Sequence, residues 1–129
     1  MPAPVSVRYI VHDIENAVGF YTRYLGFRVE MRPAPEFAML SRENLRLLLS
    51  KPSSRGGGGQ RLSDGTLPAP GGWNRFQIEV QDLDAVVEAL RKDGCRFRSE
   101  IITGVSGRQV LVEDPSGNLV ELFQYLKPR

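Results

Sequence analysis

The chain has 129 residues, 41% of them apolar and 25% charged, and its 17 basic and 15 acidic side chains leave a formal charge of +2. That length suits one domain with a sizeable core. The charges are scattered, the one dense basic stretch (Arg91-Lys92-Asp93-Gly94-Cys95-Arg96-Phe97-Arg98) is interrupted, and no apolar run reaches membrane-spanning length. These features argue against nucleic acid and a bilayer as partners. Met1-Pro2-Ala3-Pro4 has neither the charged nor the apolar region of a secretory leader, so a cytoplasmic protein is expected. A lone cysteine, Cys95, rules out an internal disulfide and reads as a small buried apolar residue.

Val5-Ser6-Val7-Arg8-Tyr9-Ile10-Val11 alternates with period two, setting Val7, Tyr9 and Val11 toward a helix and Ser6, Arg8 and Ile10 on the other face. Asp13 is a good N-cap, and Ile14, Ala17, Val18, Tyr21 and Leu25 recur at helical spacing until Gly26 stops the helix. Three shorter strands follow near 28–32, 36–40 and 45–51, with Arg42-Glu43-Asn44 as the last turn. The segment from Ser53 to Gln60, with Gly56 to Gly59 in a row, and its continuation to Pro68-Ala69-Pro70-Gly71-Gly72 have the composition of an exposed mobile connector. A lid over a cavity is the other reading, suggested by Trp73 at its inner end. The glycines do not make a phosphate loop, because no Gly-Lys-Ser/Thr ending follows them.

From Trp73 the pattern starts again. Phe76, Ile78 and Val80 face a helix while Arg75, Gln77 and Glu79 face away; Asp82 caps that helix, Leu83, Val86, Val87 and Leu90 form its stripe, and Gly94 ends it. Strands near 97–101 and 108–113 lead through Asp114-Pro115-Ser116-Gly117-Asn118 to a last strand at Leu119–Tyr125. Val11-His12-Asp13-Ile14 returns as Val80-Gln81-Asp82-Leu83, and Asn44-Leu45-Arg46-Leu47 as Asn118-Leu119-Val120-Glu121. The expected architecture is an α+β single domain of two βαβββ modules, about 5–51 and 73–126, joined by the connector at about 52–72 and enclosing a cavity.

The chain resembles the vicinal oxygen chelate superfamily, the glyoxalase, bleomycin-resistance and extradiol-dioxygenase-like proteins. The resemblance runs from about Val5 to Tyr125 and rests on Val11-x-Asp13-Ile14, Phe20-Tyr21-x-x-x-Leu25-Gly26-Phe27, Val80-x-Asp82-Leu83 and Asp114-Pro115-Ser116-Gly117-Asn118-Leu119-Val120-Glu121-Leu122. It implies modules curled into half-barrels whose pairing encloses a ligand, and commonly a homodimer. Its metal-dependent members carry ligands at four places, which here hold Ser6, Arg75, Leu47 and Glu121. Leucine and arginine cannot ligate a divalent ion, and a fixed guanidinium repels one. No metal and no cofactor are therefore expected, and an Arg75–Glu121 ion pair is expected in the metal's place.

Strand parity together with the resemblance gives a candidate wall: Ser6, Arg8, Phe37, Met39, Leu47, Leu49, Trp73, Arg75, Gln77, Gln109, Leu111, Glu121 and Phe123. It is apolar and aromatic with a few hydrogen-bonding groups, as small-molecule pockets are. No nucleophile is expected, since Ser6 has no histidine to activate it and His12 lies past the end of the same strand. The expected function is metal-independent sequestration of a hydrophobic aromatic small molecule, as in antibiotic self-protection or resistance. The alternative is an enzyme, a glyoxalase-like lyase or isomerase or a dioxygenase. A metal-free version of it would use Glu121 as base on a bound carbonyl compound and Arg75 to steady the enolate.

Overall fold

The computed structural model describes residues 4–53 and 57–127, in two compact units, Met1–Gly71 and Gly72–Arg129. The first runs β1 (Val5–Ile10), α1 (Ile14–Tyr24), β2 (Arg28–Ala34), β3 (Phe37–Arg42) and β4 (Leu45–Ser50). The second runs β5 (Phe76–Glu79), α2 (Leu83–Lys92), β6 (Ile102–Thr103), β7 (Gly107–Glu113) and β8 (Leu119–Tyr125). Each unit is a four-stranded sheet with its helix, ordered β1-β4-β3-β2 and β5-β8-β7-β6, with its first and last strands parallel. This is the repeated βαβββ pattern of the sequence.

Both aspartates cap as their positions require. Asp13 Oδ1 accepts from the Asn16 amide at 2.9 Å and Asp82 Oδ1 from the Ala85 amide at 3.1 Å, satisfying donors that an α-helix start leaves open. At the other end of α1 the Phe27 amide reaches back to the Tyr21 carbonyl at 3.2 Å, which needs the left-handed backbone that Gly26 adopts at φ 75°. The apolar stripe of α1 then meets the sheet through Ile14, Ala17, Phe20 and Tyr21, all buried. In the second unit Leu83, Val87 and Leu90 do the same against a sheet whose inner face carries Ile78, Val110, Val112, Val120 and Leu122.

Two expected strands are cut short. The one foreseen from Trp73 begins at Phe76, because Gly71 and Gly72, at φ 107° and 99°, turn the chain just before it. The one foreseen near 97–101 survives as a single bridge, Phe97 to Val112, followed by the two residues of β6. There the Ser99 hydroxyl accepts from the Leu111 amide at 3.0 Å, so a side chain takes up a bond the ladder would have used.

The connector is exposed over most of its length, as its composition suggests, but one stretch of it packs on the first sheet. Part of it, Ser54-Arg55-Gly56, lies outside the described residues, but Gly57 to Gln60 fold back on the first sheet. The Ser50 hydroxyl donates to the Gly57 carbonyl at 2.7 Å, and a side chain at Gly59 would put its Cβ 2.2 Å from the Lys51 carbonyl oxygen. This stretch is glycine because backbone packs on backbone there.

Candidate functional site

Each sheet has one face under its helix and one face turned away, and register decides which residues share the open face. In the second unit Gln77 pairs with Glu121, Leu111 with Glu121 and Gln109 with Phe123. These residues are exposed or half-buried, while the alternate set is buried. Gln77, Gln109, Leu111, Glu121 and Phe123 therefore stand together on the open face.

In the first unit Ser6 pairs with Arg46, Arg8 with Leu48, Met39 with Leu48 and Phe37 with Ser50. Ser6, Arg8, Phe37 and Met39 take the open face, as the sequence reading has them. Leu47 and Leu49 do not. They pair with Val7 and Tyr9, have no exposed surface, and lie on the helix side of the sheet. Leu48 takes the place assigned to Leu47, flanked by Arg46 and Ser50.

The error comes from counting out of unequal turns. Arg42 pairs directly with Leu45, so Glu43 and Asn44 alone make the first hairpin loop, with Glu43 at φ 52°. The second loop holds five residues between the paired Glu113 and Leu119. Its Asp114 is 1% exposed and takes the amides of Ser116 and Asn118 at 2.9 Å each. The first hairpin is closed by a pair on the helix side, Arg42 and Leu45, and the second by a pair on the open side, Glu113 and Leu119, so the third residue after asparagine lands on opposite faces in the two modules. The charge of Arg46 was the available signal, since it marks the solvent side of β4 and Leu48 shares its parity.

The second open face centres on Glu121, whose side chain is 12% exposed. Its Oε1 accepts from Arg75 Nε at 3.0 Å, with Nη2 also at 3.0 Å, and its Oε2 accepts from Gln77 Nε2 at 2.7 Å. Arg75 Nη1 donates in addition to the Trp73 carbonyl at 3.3 Å. The expected arginine–carboxylate pair is present, with Gln77 as a third member. Phe123 stands edge-on to Tyr125, ring centroids 4.8 Å apart, and lies over Gly107, where a Cβ would come within 2.4 Å of its ring. The first open face is more polar at its β2 edge, where the Ser41 hydroxyl first and Arg28 second hold the Glu30 carboxyl below its ordinary range.

Trp73 is 65% exposed, in the bend before β5, with the Arg98 guanidinium 5.1 Å from its ring centre. Cys95 is half-buried, and His12 is exposed beyond β1. A separate hollow of about 440 Å³ opens where β5 and β8 end, lined by Glu79, Val80, Gln81, Gln124, Tyr125, Leu126 and Lys127. None of its lining was foreseen.

A family model described as the Glyoxalase/Bleomycin resistance protein/Dioxygenase superfamily matches residues 4–122. The chain belongs to this superfamily. A member of it from Sphaerobacter thermophilus superposes with a TM-score of 0.74 at 24% identity, over 96% of this chain and 98% of the other. One from Nocardioides gives 0.71 at 25%, over 100% and 87%. The antibiotic binding protein TnmS3 from Streptomyces gives 0.70 at 21%, over 97% of each. A comparison with curated proteins found no match.

The divalent ion that many members of the superfamily use does not suit these side chains. Among the described residues no three histidine, cysteine, aspartate or glutamate side chains group so as to hold one. Both oxygens of Glu121 already receive N–H donors, one from a permanent cation, and its counterpart in the first module is Leu48. A metal would need at least two further donors and would sit against a guanidinium.

Proposed function

We propose that this protein binds a hydrophobic, largely aromatic small molecule without a metal ion and holds it unchanged, acting as a cytoplasmic homodimer that lowers the free concentration of a toxic compound such as an antibiotic. The observation that carries this reading is the Arg75–Glu121–Gln77 cluster, which occupies the carboxylate position with both oxygens already accepting N–H donors. A carboxylate committed in this way is poorly placed to ligate a metal or to abstract a proton, and well placed to fix a wall. Around it Leu111 and Phe123 supply apolar surface, and the half-buried Gln109 an amide that can orient a polar edge. Antibiotic binding by a protein of the same fold supports the choice of ligand class, as an analogy of fold.

Protection of this kind is mass action, so the protein should be stabilised by its ligand. At a hundredfold excess over Kd the gain is about 2.7 kcal/mol, or roughly 8 °C in Tm for a chain of this size. The test is a thermal-shift screen of aromatic antibiotics on protein purified without chelator, with metal analysis beforehand and mass spectrometry of the recovered compound afterwards. Intact recovery with no stoichiometric metal supports sequestration. A chemically altered compound or stoichiometric metal supports the lyase or dioxygenase chemistry found elsewhere in the superfamily.

A further inference from the structure

We propose that the end of the second unit's open face where Trp73, Arg98 and Glu113 meet recognises the acidic group of a flat aromatic ligand, a carboxylate or phenolate carried on its ring. The proposal rests on the small-molecule-binding reading above and narrows its ligand class.

Arg98 lies beside β7, its amide bonded to the Leu111 carbonyl at 2.8 Å, and the neighbouring bridge of Phe97 to the core residue Val112 sends the Arg98 side chain to the open side. Two contacts then fix its guanidinium. Glu113, with a side chain 16% exposed, accepts from Nε at 2.9 Å, and the Trp73 ring takes the cation at 5.1 Å from its centre. Neither Nη nitrogen has a hydrogen-bond partner among the described residues, so the outer edge of the guanidinium, with one N–H from each Nη, is held in place and left uncommitted.

The local charge is uneven in the same direction. Glu113 also faces Arg96, whose Nε is 3.7 Å from Oε1, so one carboxylate serves two guanidiniums, whereas Arg75 and Glu121 cancel. Among these ion-paired groups one positive charge is left over, the neighbouring Asp114 carboxylate being buried and taken up by the Ser116 and Asn118 amides, and this suits a monoanion. The indole beside it is two-thirds exposed, and a large aromatic surface left in water regains free energy when another ring stacks on it. Fixed donors, surplus charge and an open aromatic surface at one spot describe an aromatic acid better than a neutral aromatic.

The experiment compares 2-naphthoate with its methyl ester by titration calorimetry, with the emission of Trp73, the only tryptophan, reporting where they bind. The wild type should bind the acid about tenfold more tightly than the ester, the value of one charge-assisted fork. Arg98→Gln should abolish that preference, the acid losing more affinity than the ester. If that variant fails to fold, Arg98→Lys, which keeps the charge and loses the fork, should lower the preference by itself. Equal binding of acid and ester, or a preference that survives both substitutions, overturns the proposal and leaves the broader reading standing. If neither compound binds, both fall.

Discussion

Gln77 and Glu121 stand opposite each other in a parallel strand pair, and the amide donates to Oε2 at 2.7 Å while Arg75 takes Oε1 at 3.0 Å. The carboxylate is nearly covered and the guanidinium only partly, at 12% and 30% exposure. Removing the cation therefore leaves a mostly desolvated charge with one amide for company. Arg75→Ala should lower stability by about 2 kcal/mol, less than for a fully buried pair because solvent screens the arginine side. Adding Glu121→Gln should recover most of the loss, since the remaining amides need no counterion. A double-mutant cycle in urea reads the coupling directly, and a purely additive result would mean that the two charges do not support each other.

Leu47 and Leu48 are adjacent and chemically identical but belong to opposite faces. Leu47 has no exposed surface and lies on the side that α1 covers, whereas Leu48 is half-buried on the open side. Leu47→Ala should cost about 3 kcal/mol through lost burial and the cavity left behind. Leu48→Ala should cost under about 1 kcal/mol and show its effect in ligand affinity. Urea midpoints for the two variants check the face assignment independently of any ligand.

This pair also marks where the sequence stops being legible. Helix caps, glycine stops and the alternation in β1 and β8 are local, and each could be read from its own residues. Asp13, Asp82, Gly26 and Gly94 act where the pattern places them. The repeat made the βαβββ order plain, and parity along β5 and β8 was enough to bring Arg75, Gln77 and Glu121 together. Register across a hairpin depends on loop length instead, and an asparagine at the end of both loops concealed a difference of three residues between them. Trp73 was among the expected wall residues, but its meeting with Arg98 was not foreseen, for another reason. Their meeting joins a bend before β5 to the segment between α2 and β6, and no pattern along the chain encodes such a contact.

Two glycines should respond oppositely to alanine. At Gly107 a Cβ would stand 2.4 Å from the Phe123 ring and 2.6 Å from the Gln124 carbonyl oxygen, and that backbone atom belongs to the paired strand and cannot step aside. Gly107→Ala should cost about 2 kcal/mol or more by overpacking and should move Phe123, weakening any ligand that stacks on it. Gly19 lies inside α1 with nothing within 4 Å of its would-be Cβ. Gly19→Ala should stabilise by about 0.5–1 kcal/mol, because alanine restricts the unfolded chain and fits the helix. Thermal melts of both variants against the wild type test the contrast.

Acid should weaken one tie between α2 and its sheet. Arg108 forks onto Asp84, Nη1 to Oδ2 at 2.9 Å and Nη2 to Oδ1 at 2.8 Å, joining the first turn of the helix to the start of β7. The Arg108 hydrogen bond, foremost among the causes, holds the Asp84 carboxyl below its ordinary range, with burial opposing. A carboxyl more acidic in the folded than in the unfolded chain binds fewer protons when folded, so its contribution is fully present above the unfolded value. It fades as the pH falls through the folded one. The two guanidinium bonds need the carboxylate, and protonation replaces one acceptor by a donor facing a cation. Asp84→Asn removes the titrating group while keeping the shape. Urea midpoints for wild type and Asp84→Asn should therefore differ at neutral pH, with the wild type more stable, and converge as the pH is taken below the carboxylate range. A gap that stays constant down to acid would show that Asp84 acts through packing or helix capping and not through its charge.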